Sequence, residues 1–233
     1  MKKGPIIAAI VALVALGIFI KIESNKPPED VASAMVPNDG DGAAGGADNG
    51  GTTDATTEPA GDPLPEGDPV SYEVSVDDSN VEFTGYKVGG EQNCTFFEFE
   101  GSLAAIANDP RTLVVDMSVD LESIIHDNQT FVIVMLGEAF FDVKNHPTGT
   151  FKSSKVEKDG EGWKVTGDLT LRGKAVTIAF PADIELSDDG ASLDATFRVD
   201  RLAWGMNWEG KKDALIKDEV DMSISLVAEK SDG

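Results

Sequence analysis

Residues 113–121 read LVVDMSVDL, and the alternation in that run recurs down the second two-thirds of the chain. Leu113, Val115, Met117, Val119 and Leu121 share one phase, with Asp116, Ser118 and Asp120 on the other. YEVSV repeats the pattern at Tyr72, Val74 and Val76. WKVTGDLTL repeats it at Trp163, Val165, Leu169 and Leu171, and VTIAF at Val176, Ile178 and Phe180. LDATFRV and VDMSISLVA complete the set, through Leu193, Ala195, Phe197 and Val199, then Val220, Met222, Ile224, Leu226 and Ala228. Period two over this many segments calls for antiparallel strands with one apolar and one wet face.

Turn signals punctuate the strands. KDG ends at Gly160, DDG at Gly190, and LRGK carries Gly173. In VEFTGYKV the apolar phase slips at Gly85, which predicts a bulge that bends the strand. HDNQTFVIVMLGEAF breaks the alternation. There Phe131, Val134 and Met135 fall on one face of a short helix capped by Asp127 or Asn128. The expected fold is all-β, with about eight antiparallel strands and one helical insertion, stacked as a sandwich or closed as a barrel. No strand carries an obvious edge-blunting device, which favours closure.

Three regions follow. Residues 1–22 hold IIAAIVALVALGIFI between Lys2, Lys3 and Lys21. As a helix, Gly4–Ile20 would be roughly 25 Å long, a short membrane span with lysines at both ends. No small-residue cleavage site lies close behind it, so an N-terminal anchor is expected, with a cleaved signal segment as the alternative. Residues 23–69 contain 8 Gly, 7 Pro and eleven acids against Lys26. That composition predicts a disordered acidic linker, roughly 35–40 Å end to end on average. Residues 70–233 form the folded domain. The whole chain carries −23, a sign that excludes nucleic acid as a partner. Cys94 is the only cysteine, so no internal disulfide forms. It is expected to be a small buried hydrophobe.

Catalytic signatures are absent. The two histidines, His126 and His146, have no metal-ligand spacing. GDLTLRGKA resembles a phosphate loop but has the wrong spacing, and Ala175 stands where a hydroxyl is needed. FFDVKNHPTGTFKS, residues 140–153, places Asp142 near His146, as a base and its orienter would be. A turn feeding a strand explains more of its residues: Asp142 and Asn145 bond local backbone, Pro147 ends the segment, and Gly149 starts a strand. No enzyme activity, cofactor or metal is expected.

FFDVKNHPTGTFKSSKV, WKVTGDLTLRGKAVTIAFPADI and IKDEVDMSISLVAE resemble the YceI-like family. SYEVSVDDSNVEFTGYKVGGEQNCTFFEFEGSLA fits the family's first hairpin and LVVDMSVDLESI its next strand, so the resemblance spans about 70–230. It implies an eight-stranded antiparallel, lipocalin-like β-barrel with a long apolar pocket for a polyprenyl or other long-chain lipid. It also implies export to the periplasm, here anchored to the inner membrane through the N-terminal helix. Where the family often has a His-Ser pair, this chain has Asp78 and Ser79, and Val132, Ile133 and Val134 make the helical insertion unusually apolar. On the inward phase the pocket lining is expected from Phe83, Phe97, Phe99, Met117, Phe131, Met135, Phe141, Phe151, Leu169, Ile178, Phe197, Trp204 and Met222. Trp204 and Trp208 could instead cap the mouth. The expected function is a tethered carrier, store or sensor of such a lipid. The alternative is a filled-core barrel serving as a cell-surface interaction module. A homodimer is admitted.

Overall fold

The computed structural model describes residues 31–36, 62–208 and 215–231. The apolar run expected to be an anchor, and most of the linker, lie outside them. Among the described residues no helix is long and apolar enough to cross a membrane.

Eleven strands form one antiparallel sheet: β1 Val70–Val74, β2 Asn80–Lys87, β3 Gly90–Phe96, β4 Phe99–Ala105, β5 Val114–Asp120, β6 Ile124–Ile125, β7 Thr148–Asp159, β8 Gly162–Leu171, β9 Lys174–Leu186, β10 Gly190–Asp200 and β11 Ile216–Lys230. Eight of them run in the order β1-β4-β5-β7-β8-β9-β10-β11, and β11 pairs back onto β1. The sheet therefore closes, as its unbroken alternation led one to expect. β11 is long enough to pair twice. Its C-terminal part meets β1, from Ala228 opposite Val74 to Lys230 opposite Tyr72. Its N-terminal part meets β2, which carries β3 and β6 outward.

The local chemistry explains the turns. Arg172 and Gly173, with φ of 53° and 69°, connect the paired Leu171 and Lys174. A two-residue loop with two positive φ values follows the right-handed twist of its strands. Two expectations shift. The irregularity expected at Gly85 falls on the partner strand: β2 pairs β3 straight through Gly85, while β11 slips register between Ile216 and Val220. Val76, expected on a strand face, begins a one-turn 3-10 helix and is 39% exposed. The helical insertion is α1, Gln129–Leu136. Asn128 is its cap, accepting from the Thr130 and Phe131 N–H groups at 3.0 and 3.2 Å.

Six residues of the stretch read as linker join the barrel. Residues 31–36 make β-bridges through Ser33 to Arg198 on β10 and through Met35 to Ala179 on β9.

The two ends of the barrel differ. At the end where β1 closes the cylinder, Tyr72, Leu103, Val165 and Leu226 are almost wholly buried and fill the interior. The Tyr72 hydroxyl donates to the Ser187 carbonyl at 2.8 Å and plugs the floor. Ser79, just before β2, ties that strand to β11: its hydroxyl accepts from the Val227 N–H at 2.9 Å. The other end, under α1 and beside the β2–β3 and β8–β9 turns, is hollow.

Candidate functional site

The hollow is a cavity of about 630 Å³, walled by the inward phases of β2, β5, β7 to β11 and by α1. Of the thirteen residues expected to line a pocket, eleven lie on its wall: Phe83, Met117, Phe131, Met135, Phe141, Phe151, Leu169, Ile178, Phe197, Trp204 and Met222. Phe97 and Phe99 do not. A two-residue link separates β3 from β4, so the alternation through TFFEF does not continue across it. Phe97 sits in that link, 50% exposed. Phe99 starts β4 and is buried in the core away from the cavity.

Aromatic rings shape the wall. Phe83, Phe96 and Phe141 form a triangle with centroids 5.8 to 6.0 Å apart. Phe180 and Phe197 stack at 4.1 Å and 12°. Trp204 anchors a one-turn 3-10 helix, Arg201–Trp204, by donating from its indole N–H to the Leu169 carbonyl at 2.9 Å. Trp208 also lines the cavity and meets the Phe140 ring edge-on at 5.9 Å. Both tryptophans thus belong to the wall, where the sequence left them between wall and cap. Gly85 faces inward too, and a Cβ there would meet nothing within 4 Å.

The rim is amphipathic. Lys87, Asn128, Thr130 and Lys217 border the cavity and are exposed, beside exposed Val88 and Leu215. The Lys217 ammonium lies 5.0 Å from the Tyr86 ring centroid. Below it, the Tyr86 hydroxyl donates to Asp221 at 2.6 Å, and Arg198 holds the same carboxylate through two bonds at 2.5 and 3.1 Å. Burial, then the Asp221 hydrogen bond, hold the Tyr86 phenol protonated well above its ordinary range. Sequence reasoning missed this cluster, because its members are outward-phase residues of three strands far apart in the chain. Arg201, 4% exposed, donates to the Lys217 carbonyl at 3.0 Å, to Asp218 at 3.0 Å, and to the Met206 carbonyl. It clamps the 3-10 helix to the irregular part of β11.

Asp142 and His146 stand off the cavity wall. Both Asp142 carboxylate oxygens accept from the Asn145 side chain at 3.0 Å, and the nearest His146 nitrogen is 4.0 Å away. Asp142 has φ of 51°, and the His146 and Asn145 N–H groups both donate to its carbonyl. The geometry is that of a tight turn feeding β7. Among the described residues no three His, Cys, Asp or Glu side chains converge as a metal site.

The YceI-like domain matches residues 72–228. The chain belongs to the YceI-like family. A UPF0312 protein of Pectobacterium atrosepticum is 30% identical over 105 residues, 45% of this chain and 54% of that protein. The chain thus spans about half the length of the curated relatives it matches. Among solved structures, Burkholderia cenocepacia BcnA superposes with a TM-score of 0.62 at 25% identity, over 66% of this chain and 99% of that one. A polyisoprenoid-binding domain from Saccharophagus degradans, implicated in plant cell wall breakdown, superposes with a TM-score of 0.55 at 15% identity, over 70% and 99%. A Campylobacter jejuni YceI protein gives 0.52 at 22% identity, over 60% and 85%. The last two speak for the fold. A filled-core barrel, the alternative the sequence left open, would have no such cavity.

Proposed function

We propose that this YceI-like protein binds a polyisoprenoid or other long-chain amphiphilic lipid inside its barrel, as a carrier, store or sensor. The observation that carries the reading is the hollow half-barrel, apolar along its wall and polar at its rim. A cavity of about 630 Å³ falls within the roughly 300–1,000 Å³ of small-ligand sites. Each buried methylene is worth about 0.8 kcal/mol, so about ten of them supply roughly 8 kcal/mol before the losses of association. No strong polar contact is needed along the tail. The head group rests among Lys87, Lys217 and Asn128, where an anionic or hydrogen-bonding group finds donors. The Saccharophagus neighbour, named for polyisoprenoid binding, supports the ligand class.

The same reading places the barrel outside the cytoplasm, in the periplasm, tethered to the inner membrane by the apolar run at 6–20. The test is direct. Full-length protein purified from bacterial membranes is extracted with organic solvent, and the extract is analysed by mass spectrometry. A stoichiometric long-chain lipid is expected. An extract without lipid, joined to no fluorescence response on adding cis-parinaric acid, a polyene fatty acid, would sink the reading.

A further inference from the structure

The β9–β10 ladder is unusually short. It pairs from Leu186 opposite Ala191 to Asp183 opposite Asp194, then stops. Carried on by four residues, the same register would set Ala179 opposite Arg198. Instead residues 32–35 stand between them. The Arg198 N–H donates to the Ala32 carbonyl at 2.9 Å, and the Ala34 N–H to the Arg198 carbonyl at 2.7 Å. On the other side, Met35 and Ala179 exchange two bonds, at 3.0 and 2.9 Å. The barrel wall is therefore parted there, and a separate strand fills the gap.

The sequence explains why the seam does not zip. Position 181 is proline, two residues from Ala179 and so on the same hydrogen-bonding edge of β9. It has no N–H to give β10, which is how proline interrupts a ladder. The filling strand is suited to come and go. VASAMV is an apolar run without an acid, set between Pro28 and Pro37. Only Ala34 packs against the core, while Met35 and Val36 are 63% and 58% exposed. Behind it the stacked rings of Phe180 and Phe197, one from each side of the seam, line the cavity.

We propose that the β9–β10 seam is a lateral mouth of the cavity and that residues 31–36 are the detachable strand that shuts it. This rests on the lipid reading above. When the strand leaves and the Phe180–Phe197 stack parts, a slim hydrocarbon passes sideways between Ile178 and Phe180 on one strand and Phe197 and Val199 on the other. Chain length sets where this mouth sits. Val31 lies eleven Cα steps beyond Ile20, and an extended chain covers about 3.3 Å per step, roughly 36 Å in all. With the apolar run in a bilayer, the strand at the seam stays near the lipid surface.

Locking the strand tests the mouth. Met35 and Ala179 are a hydrogen-bonded antiparallel pair, whose Cα atoms lie about 5.5 Å apart, within disulfide range. The full-length chain carrying M35C and A179C is oxidised, or reduced with dithiothreitol. It is then mixed with phosphatidylcholine vesicles doped with cis-parinaric acid. Loading is timed by energy transfer from Trp204 and Trp208. The reduced form is expected to load at the wild-type rate, and the oxidised form at least ten-fold more slowly. Equal rates overturn the lateral mouth and leave the lipid reading standing. Loading by neither form refutes the lipid reading and takes the mouth with it. A second variant, Ala34→Pro, removes the donor to the Arg198 carbonyl. It should load faster than wild type, with faster hydrogen exchange at the Ala179 and Arg198 amides and none at Val165 or Leu226. Unchanged exchange at both seam amides overturns the detachable strand without any lipid being present.

Discussion

Gly85→Leu is the sharpest probe of the cavity. Gly85 sits on the inward phase of β2, between Phe83 and Lys87, and a Cβ there meets no atom within 4 Å. Its φ lies outside the left-handed region, so leucine fits the backbone without strain. The substitution puts four carbons where ligand carbons would lie. At about 0.8 kcal/mol per displaced methylene the loss is about 3.2 kcal/mol, and at about 1.4 kcal/mol per decade that is roughly a 200-fold weaker Kd. A mobile tail that bends around the leucine would lose less, so 200-fold is an upper bound. Stability should move the other way. The leucine buries apolar surface, and a glycine leaves a strand interior, where it is unfavourable by about 0.5–1 kcal/mol. The melting temperature should hold or rise, since 1 kcal/mol corresponds to about 2–4 °C in a domain of this size. Titration with cis-parinaric acid gives the affinity and a thermal melt gives the stability. The control is Ile133→Ser, at a position 70% exposed on α1, which should change neither. Wild-type affinity in a Gly85→Leu protein of unimpaired stability would mean that lipid binds elsewhere.

Two further expectations concern buried polar and titratable groups of the barrel. Asp221 is 8% exposed and holds both Arg198 and the Tyr86 hydroxyl, so Asp221→Ala leaves a partly buried guanidinium with only the looser Glu219 contact at 3.9 Å. A loss of about 3 kcal/mol is expected in urea unfolding, against about 1 kcal/mol for Tyr86→Phe, which removes one neutral donor; equal small losses would show that the pair is solvated. Cys94 is buried and burial pushes its thiol up to about 12, so no thiolate forms near neutral pH. A disulfide reagent at pH 8 should leave the native chain unlabelled and modify it at the rate of global unfolding; fast labelling would contradict the burial.

The architecture was legible because closure and alternation are one constraint seen twice. The inward positions along the regular runs of β5, β8, β10 and β11 carry no polar side chain, so the phase of those strands, and with it most of the cavity wall, followed from period two. Phe97 and Phe99 went astray for the complementary reason: alternation carries no information across a turn, and TFFEF contains no Gly or Pro to announce one. The seam was harder. Pro181 stood in plain view as a break in a ladder, but alternation at Ile178, Phe180, Ala182 and Ile184 continues past it undisturbed. A proline changes which backbone groups pair without changing which side chains face in. Likewise VASAMV, too short for a confident strand, borrows its pairing from edges that no local pattern reveals.

These omissions bear on why one half of the barrel is hollow. Eight strands enclose an interior that side chains can just fill, and diameter grows with strand number. At the closed end the wall is those eight strands, and Tyr72, Leu103, Val165 and Leu226 fill it. Toward the other end β11 leaves β1 for β2, and residues 31–36 interpose between β9 and β10. The circumference gains a strand there just where one inward position, Gly85, contributes no side chain and leaves open space. A wider wall and smaller contents leave space. The unfilled volume therefore follows from the wall itself, and the strand that widens it is held by four backbone hydrogen bonds. If the strand detaches as proposed, one element both sets the size of the cavity and decides whether the barrel is shut.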